Sequence, residues 1–346
     1  MDERVIRFPA EWERQSAILL TWPHENTDWQ ENLWQVETVF IDVVRHLARY
    51  QTVIVSCFNK AHRQHIEKKF HEARIPEEQY ILCLAKSNDS WSRDHGPITV
   101  YENNRPLLLD FSFNGWGNKY PFDLDNMITR CLYKEGVFRD TPLKTIDYVL
   151  EGGSVDSDGL GTIITTSQCL LAETRNPSFN RKDIEDLFEK QFGVSRIIWI
   201  KHSRLAGDDT DGHIDMLVRF INKDTLVYTS SKEPGNSNYQ ELIKLERELK
   251  NLSAKYGTAY SLIPLPTPVI RDAGGQQLPA TYINFLFCNE QILVPTYNHV
   301  MDTEALTIIS ELVPDREVVG INSLPLIQQH GGLHCITMQL PEGVIK

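Results

Sequence analysis

The stretch Gly212-His213-Ile214-Asp215-Met216-Leu217-Val218-Arg219-Phe220-Ile221-Asn222-Lys223-Asp224-Thr225-Leu226-Val227-Tyr228-Thr229 decides how the fold is read. A histidine and an aspartate come first. An apolar run over residues 216–221 follows, then the polar turn Asn222-Lys223-Asp224, then a second apolar run over 225–229. Two short runs rich in β-branched and aromatic residues around such a turn read as an antiparallel hairpin. In a strand, His213 and Asp215 project to the same face. The expectation is a hairpin whose mouth offers both side chains to one site.

The layout recurs. Asp94 precedes strand-like residues 98–101, the turn Glu102-Asn103-Asn104-Arg105 and a second strand over 106–113. Glu151-Gly152-Gly153 leads through Asp156-Ser157-Asp158-Gly159 into 161–165. Tyr282 opens a run over 282–287 that turns at Asn289-Glu290 into 291–296, and Cys335 opens 336–340. By subtraction, the starts at 94, 151, 213, 282 and 335 lie 57, 62, 69 and 53 residues apart. A loose period of this kind is a repeat signal. Five such units can close around an axis with the start of each hairpin pointing inward.

Upstream, strands and helices alternate. Residues 17–22 read as a strand. Over 33–50 the apolar residues Leu33, Val36, Val39, Phe40, Val43, Val44 and Leu47 fall at helical spacing. A strand over 51–58, a helix over 61–73 and a strand over 80–84 follow, which is α/β order. The proline-rich Ile263-Pro264-Leu265-Pro266-Thr267-Pro268 reads as a loop within a domain. Length alone allows one large domain or two ordinary ones. With no low-complexity segment and no Pro/Gly linker, residues 1–346 read as one domain.

Composition narrows the function classes. The chain is 41% hydrophobic, with seven Trp, twelve Tyr and fourteen Phe, so it has apolar area enough to offset the entropy of ordering. Its formal net charge is −12. Nucleic-acid binding needs clustered Lys and Arg; here they are scattered and outnumbered. An acidic protein instead suits a small cationic partner. No apolar run approaches the roughly 20 residues of a membrane span, and Met1-Asp2-Glu3-Arg4 lacks the layout of a signal peptide. Six cysteines without CxxC pairs read as free thiols in a reducing cytoplasm. Homo-oligomerisation is left open.

Four segments carry chemistry. In Gln329-His330-Gly331-Gly332-Leu333-His334-Cys335, two glycines give the backbone freedom just before a cysteine at the mouth of a strand. Gly207-Asp208-Asp209-Thr210-Asp211-Gly212-His213-Ile214-Asp215 pairs an acid/base candidate with a carboxylate. His-x-Asp can also chelate a metal, but without a second histidine cluster the signal is weak. Trp91-Ser92-Arg93-Asp94-His95-Gly96-Pro97 and Glu151-Gly152-Gly153 complete the set. Taken singly, each has a structural explanation: a buried thiol, a solvated acidic loop, or a tight turn. Together they fit one task. A guanidinium is planar and cationic and presents five N–H donors, which paired carboxylates such as Asp94 and Asp215 can hold. Its carbon is a poor electrophile and calls for a thiolate nucleophile. A histidine can protonate the leaving ammonia and later deprotonate water, and Glu151 can orient that histidine.

In this order and spacing, the segments resemble the agmatine deiminase and bacterial peptidylarginine deiminase family. The resemblance begins at Phe8-Pro9-Ala10-Glu11-Trp12-Glu13 and Thr21-Trp22-Pro23. It continues through Trp91–97, Glu151-Gly152-Gly153 and Asp211-Gly212-His213-Ile214-Asp215, then Thr281-Tyr282-Ile283-Asn284-Phe285. It ends at Gly331-Gly332-Leu333-His334-Cys335-Ile336-Thr337. It implies a five-bladed α/β propeller of ββαβ modules with the site on a pseudo-fivefold axis. It also implies Cys335 as nucleophile, His213 as general acid/base, Glu151 as its partner, Asp94 and Asp215 as guanidinium ligands, Trp91 in the substrate site, and no cofactor. Agmatine, hydrolysed to N-carbamoylputrescine and ammonia through a thiouronium intermediate, is the expected substrate. Alternatives are deimination of free or peptide-bound arginine, amidino transfer, and a catalytically inactive binding propeller. Two departures concern the substrate tail. Where the family typically reads Trp-Pro-x-Arg-x-Asp-x-Trp, this chain has Trp22-Pro23-His24-Glu25-Asn26-Thr27-Asp28-Trp29. The nucleophile is preceded by His330-Gly331-Gly332-Leu333-His334 rather than Gly-Gly-Gly-Asn-Ile-His.

Overall fold

The computed structural model describes residues 5–255 and 260–345. Among these, the strands form five small sheets, and each repeats one path. Two antiparallel strands are followed by a helix that returns the chain to a third strand, parallel to the second. In the His213 unit, Val218–Asn222 pairs antiparallel with Thr225–Ser230, and Tyr239–Lys255 leads to Ser261–Pro266, parallel to the middle strand. The Asp94 unit does the same with Ile98–Glu102, Arg105–Ser112, Ile128–Lys134 and Leu143–Val149. The Glu151 unit uses Val155–Ser157, Thr162–Thr166, Arg181–Phe192 and Arg196–Ile200. The Tyr282 unit uses Leu286–Cys288, Gln291–Thr296, Asp302–Leu312 and Glu317–Asn322.

The Cys335 unit is assembled from both ends of the sequence. Thr337–Pro341 pairs antiparallel with Gln15–Thr21, and Thr52–Cys57 and Tyr80–Leu84 add in parallel. Its helix Leu33–Leu47 buries the apolar stripe expected, Val36, Val39, Phe40, Val43, Val44 and Leu47, against that sheet.

Three details differ from the sequence expectation. The proline-rich run forms the strand Ser261–Pro266 rather than a loop. It is an edge strand, so Pro264 and Pro266 need supply no ladder hydrogen on the outer side. Residues Ile214–Met216 form a single 3₁₀ turn, and the strand starts at Val218. His213 and Asp215 are therefore brought together by a turn and not by strand alternation. Tyr282 does not point into a shared site: its hydroxyl donates to Asp302 Oδ1 at 2.7 Å, and the strand of that unit begins only at Leu286.

A buried ionic network joins all five units. Glu11 Oε2 accepts hydrogen bonds from Arg219 Nη2 at 2.8 Å and pairs with His334 Nε2 at 2.7 Å, with Arg93 Nη2 at 3.7 Å. Arg219 also donates to the Phe285 carbonyl at 2.8 Å and lies 3.4 Å from Asp156. Each of these charged side chains is buried. Burial alone would push Glu11 up, but Arg219 and His334 pull its carboxyl well below the ordinary 4.5.

Candidate active site

The segments before the first strands of the units converge. Trp91 and the one-turn helix Ser92–His95 carry Asp94; Gly96 ends the turn, where a β-carbon would press on the Ser92 carbonyl at 2.5 Å. Glu151 leads into the turn Gly152–Ser154. Asp211 and Gly212, both at positive φ, deliver His213 to the turn that carries Asp215. Asn284 enters from the Tyr282 unit, and Cys335 from the last.

Gly153 sits where the charged groups meet. A β-carbon there would lie 2.6 Å from His213 Nδ1, 3.0 Å from Asp94 Oδ1 and 3.1 Å from Asp215 Oδ2. No side chain fits between them. The Gly153 N–H donates to Asp94 Oδ1 at 3.0 Å, and the Trp116 indole N–H donates to Asp94 Oδ2 at 2.9 Å. Asp94 Oδ1 lies 3.7 Å from His213 Nδ1. Asp215 Oδ2 pairs with His334 Nδ1 at 2.8 Å and accepts from Asn284 Nδ2 at 3.3 Å, while its Oδ1 is buried without a hydrogen-bond partner. Cys335 Sγ lies 3.4 Å from Asn284 Nδ2 and 3.9 Å from Asp215 Oδ2. All five expected residues are therefore buried in one region.

Glu151 is placed differently from expectation. Its Oε1 accepts from Arg175 Nε at 2.9 Å, and Cys169 Sγ lies 3.9 Å from Oε2. It approaches His213 without hydrogen-bonding to it: Glu151, Cys169 and His213 have one ligating atom each within 4.8 Å of one another.

Burial sets the electrostatics. It pushes the Cys335 thiol well above its ordinary value, and the Asp215 and Asp94 carboxylates push the same way. Burial also raises Asp94, with Asp215 and Glu151 adding to the rise and His213 opposing it. For His213, burial works against the charged ring, yet Asp94, Cys169 and Glu151 outweigh it and hold the imidazole well above 6.5. Asp215 falls below its ordinary value despite burial, because His334 binds its charged form.

Above Cys335 and Asp94 opens a narrow pocket. Trp91, Trp116 and Tyr120 wall it, and Asp28, Asp89 and Asp209 add carboxylates. No Lys or Arg is among its lining residues. Trp91 packs on Gly331, where a β-carbon would collide with the indole. Burial, then the Asp28 charge, push Asp89 up to about 7. The altered Trp-Pro segment thus reaches the pocket through Asp28, whereas His24 is buried against Ser87. Of the two arginines considered for a carboxylate, Arg93 is buried in the ionic network and Arg271 is tied to the Gly275 carbonyl. A separate cavity, lined by Glu11, Arg93, Asp156 and His334, lies against the ionic network and includes none of the five expected residues.

With this geometry in place, a comparison with known proteins is decisive. The model of the Porphyromonas-type peptidyl-arginine deiminase family matches residues 7–341. The chain belongs to that family. The agmatine deiminase of Stutzerimonas stutzeri is 30% identical over 98% of this chain and 96% of its own length. A cysteine-to-serine variant of C. jejuni agmatine deiminase, solved with substrate bound, superposes with a TM-score of 0.91 at 32% identity, covering 99% of this chain and 98% of that one. A Porphyromonas gingivalis protein provisionally named arginine deiminase gives a TM-score of 0.91 at 42% identity, over 99% and 100% of the two chains.

Sequence reasoning missed Trp116, Asn284, Glu11, Arg175 and Cys169. Glu11 and Asn284 stood inside segments that carry the family resemblance but were given no role, and Trp116 left a local signal of its own, an indole between two glycines in Asn114-Gly115-Trp116-Gly117.

Proposed function

We propose that the chain hydrolyses the guanidinium group of agmatine, giving N-carbamoylputrescine and ammonia, with Cys335 as nucleophile. The observation that carries this reading is the convergence around Gly153 of Asp94, Asp215 and His213, with the Cys335 thiol 3.9 Å from Asp215. The five sheets are read as blades around a pseudo-fivefold axis, in one catalytic domain spanning the chain. The shared path of the sheets, and the ionic network that reaches all five, support this. Six free thiols suit a reducing cytoplasm. Among the described residues, no helix is long and apolar enough to cross a membrane.

The chemistry follows from the charges. A guanidinium entering between Asp94 and Asp215 supplies N–H donors, one of them for the orphaned Asp215 Oδ1. Burial and the two carboxylates hold the Cys335 thiol protonated; the substrate's positive charge offsets the carboxylates, so binding favours loss of the thiol proton to water and formation of the thiolate. The thiolate sulfur attacks the guanidinium carbon. The protonated His213 gives its proton to the departing nitrogen, ammonia leaves, and an S-alkylthiouronium remains. Neutral His213 then takes a proton from water. The hydroxide adds to the same carbon, the C–S bond breaks as the added hydroxyl gives its proton to water, and the neutral ureido product and the thiolate are released.

The tail preference rests on the pocket. Agmatine is cationic at both ends near neutral pH. Asp28, Asp89 and Asp209 line the pocket without an opposing Lys or Arg, and Lys119 beside it is engaged by Asp211 at 2.9 Å. The α-carboxylate of free arginine would stand among carboxylates without a partner. The 42% identity to the Porphyromonas gingivalis protein favours a second reading, deimination of arginine. Turnover of agmatine, free arginine and a blocked arginyl peptide, measured side by side as kcat/KM from ammonia release, separates the two. Agmatine is expected to lead. A preference for either arginine substrate would reject agmatine and leave guanidine hydrolysis standing.

A further inference from the structure

Cys169 has no part in the reaction described above, yet it lies beside two residues that do. It is fully buried at the end of the strand Thr162–Thr166, in the one-turn helix Ser167–Leu170. Its Sγ is 3.9 Å from Glu151 Oε2, and one ligating atom each of Glu151, Cys169 and His213 lie within 4.8 Å of one another. The His213 ring is 1% exposed, and its Nε2 has no hydrogen-bond partner. Arg175 holds only Oε1 of Glu151, which leaves Oε2 on the Cys169 side.

From this geometry we infer a second site: Cys169, His213 and Glu151 bind a thiophilic divalent cation such as Zn²⁺ or Co²⁺, and binding there stops turnover. One thiolate, one imidazole and one carboxylate select zinc-like ions over calcium or magnesium. Bonds of about 2.3 Å to sulfur, 2.0 Å to nitrogen and 2.0–2.2 Å to oxygen set tetrahedral ligand separations of about 3.3–3.7 Å. A closing movement of roughly 1 Å by the side chains reaches them. On binding, the Cys169 S–H proton is released to solvent as the metal–sulfur bond forms. His213 gives up any second ring proton before its nitrogen coordinates. The other ionisable groups around the trio include Asp94, Asp208, Asp215, Arg175 and Tyr148. Asp94 and Glu151 favour the cation, and Arg175 opposes it. A coordinated His213 can neither protonate ammonia nor deprotonate water, so the site works as an off-switch and not as a cofactor site.

The site is read out directly, without turnover, by titrating the intact protein anaerobically with Co²⁺ alone. One Co²⁺ per chain is expected, with a near-ultraviolet thiolate-to-cobalt band and the visible bands of a tetrahedral centre. The band persists in Cys335→Ala and is lost in Cys169→Ala. Glu151→Gln, whose fold is checked by circular dichroism, retains the band but binds at least tenfold more weakly, and this variant decides the matter if Cys169→Ala does not fold. Loss of the band in Cys335→Ala with retention in Cys169→Ala would place the metal on the other thiol and overturn the proposal. Absence of any thiolate band at millimolar Co²⁺, or unchanged affinity in Glu151→Gln, would do the same. None of these outcomes depends on whether agmatine is the substrate.

Discussion

Cys335 is held protonated by burial and by Asp215 and Asp94 acting in the same direction. Removing one of those charges should therefore make the thiol more acidic while destroying catalysis. In Asp215→Asn, the pH midpoint for alkylation by iodoacetamide is expected to fall, and kcat/KM for agmatine to fall by several orders of magnitude, because a guanidinium ligand is lost. A midpoint that rises would show that Asp215 acts on the sulfur in some other way. Asp89 offers a second test at the same scale. Pushed up to about 7, it is neutral below that pH and charged above it. A tail amine stays cationic throughout this range. KM for agmatine should thus fall as pH rises through about 7, by about fivefold for a pair worth about 1 kcal/mol. Asp89→Asn should flatten that dependence and leave kcat little changed. A KM profile identical in the variant would remove Asp89 from tail recognition.

The run Gly115-Trp116-Gly117-Asn118 holds four successive residues at positive φ, Trp116 at 54° among them. Only glycine and asparagine adopt such a backbone readily. The strained turn aims the indole N–H at Asp94. Trp116→Phe keeps the ring and removes that N–H. A hydrogen bond to a charged group is worth about 1.5–3 kcal/mol, so kcat/KM should drop roughly tenfold to hundredfold with little change in unfolding midpoint; an unaltered rate would make the contact incidental. At this scale the sequence was readable where periodicity governs. The helix Leu33–Leu47 carries its burial in its spacing. It misled where an edge excuses a rule, as in the proline-bearing strand Ser261–Pro266, and where a turn imitates a strand, as in Ile214–Met216. The five candidate residues could be singled out because each stands in a motif before a hairpin. Asn284 and Glu11 could not be assigned, because their roles depend on partners 50 to 323 residues away.

Across the molecule, the Glu11–Arg219–His334 network ties the units together beneath the site, and through His334 it reaches Asp215. Glu11→Gln leaves Arg219 and His334 with an uncharged neighbour. Breaking one side of a buried pair costs about 3–5 kcal/mol, which urea unfolding should show. The pH dependence has a definite sign. The Glu11 carboxyl lies well below its ordinary 4.5, so its contribution is fully present above that value and is lost as pH falls through the depressed one. Wild-type stability should therefore decline with acid more steeply than that of Glu11→Gln; parallel curves would mean that the network carries little of the linkage. The same network supports the reading that all five units serve one sulfur atom, and that claim can be tested on the whole chain. Acid-quenching the enzyme during agmatine turnover, followed by peptide mapping by mass spectrometry, should show an amidine adduct on Cys335 and on no other cysteine. Cys335→Ala should show neither adduct nor turnover. An adduct on Cys169 or any other thiol, or turnover persisting in Cys335→Ala, would contradict the account.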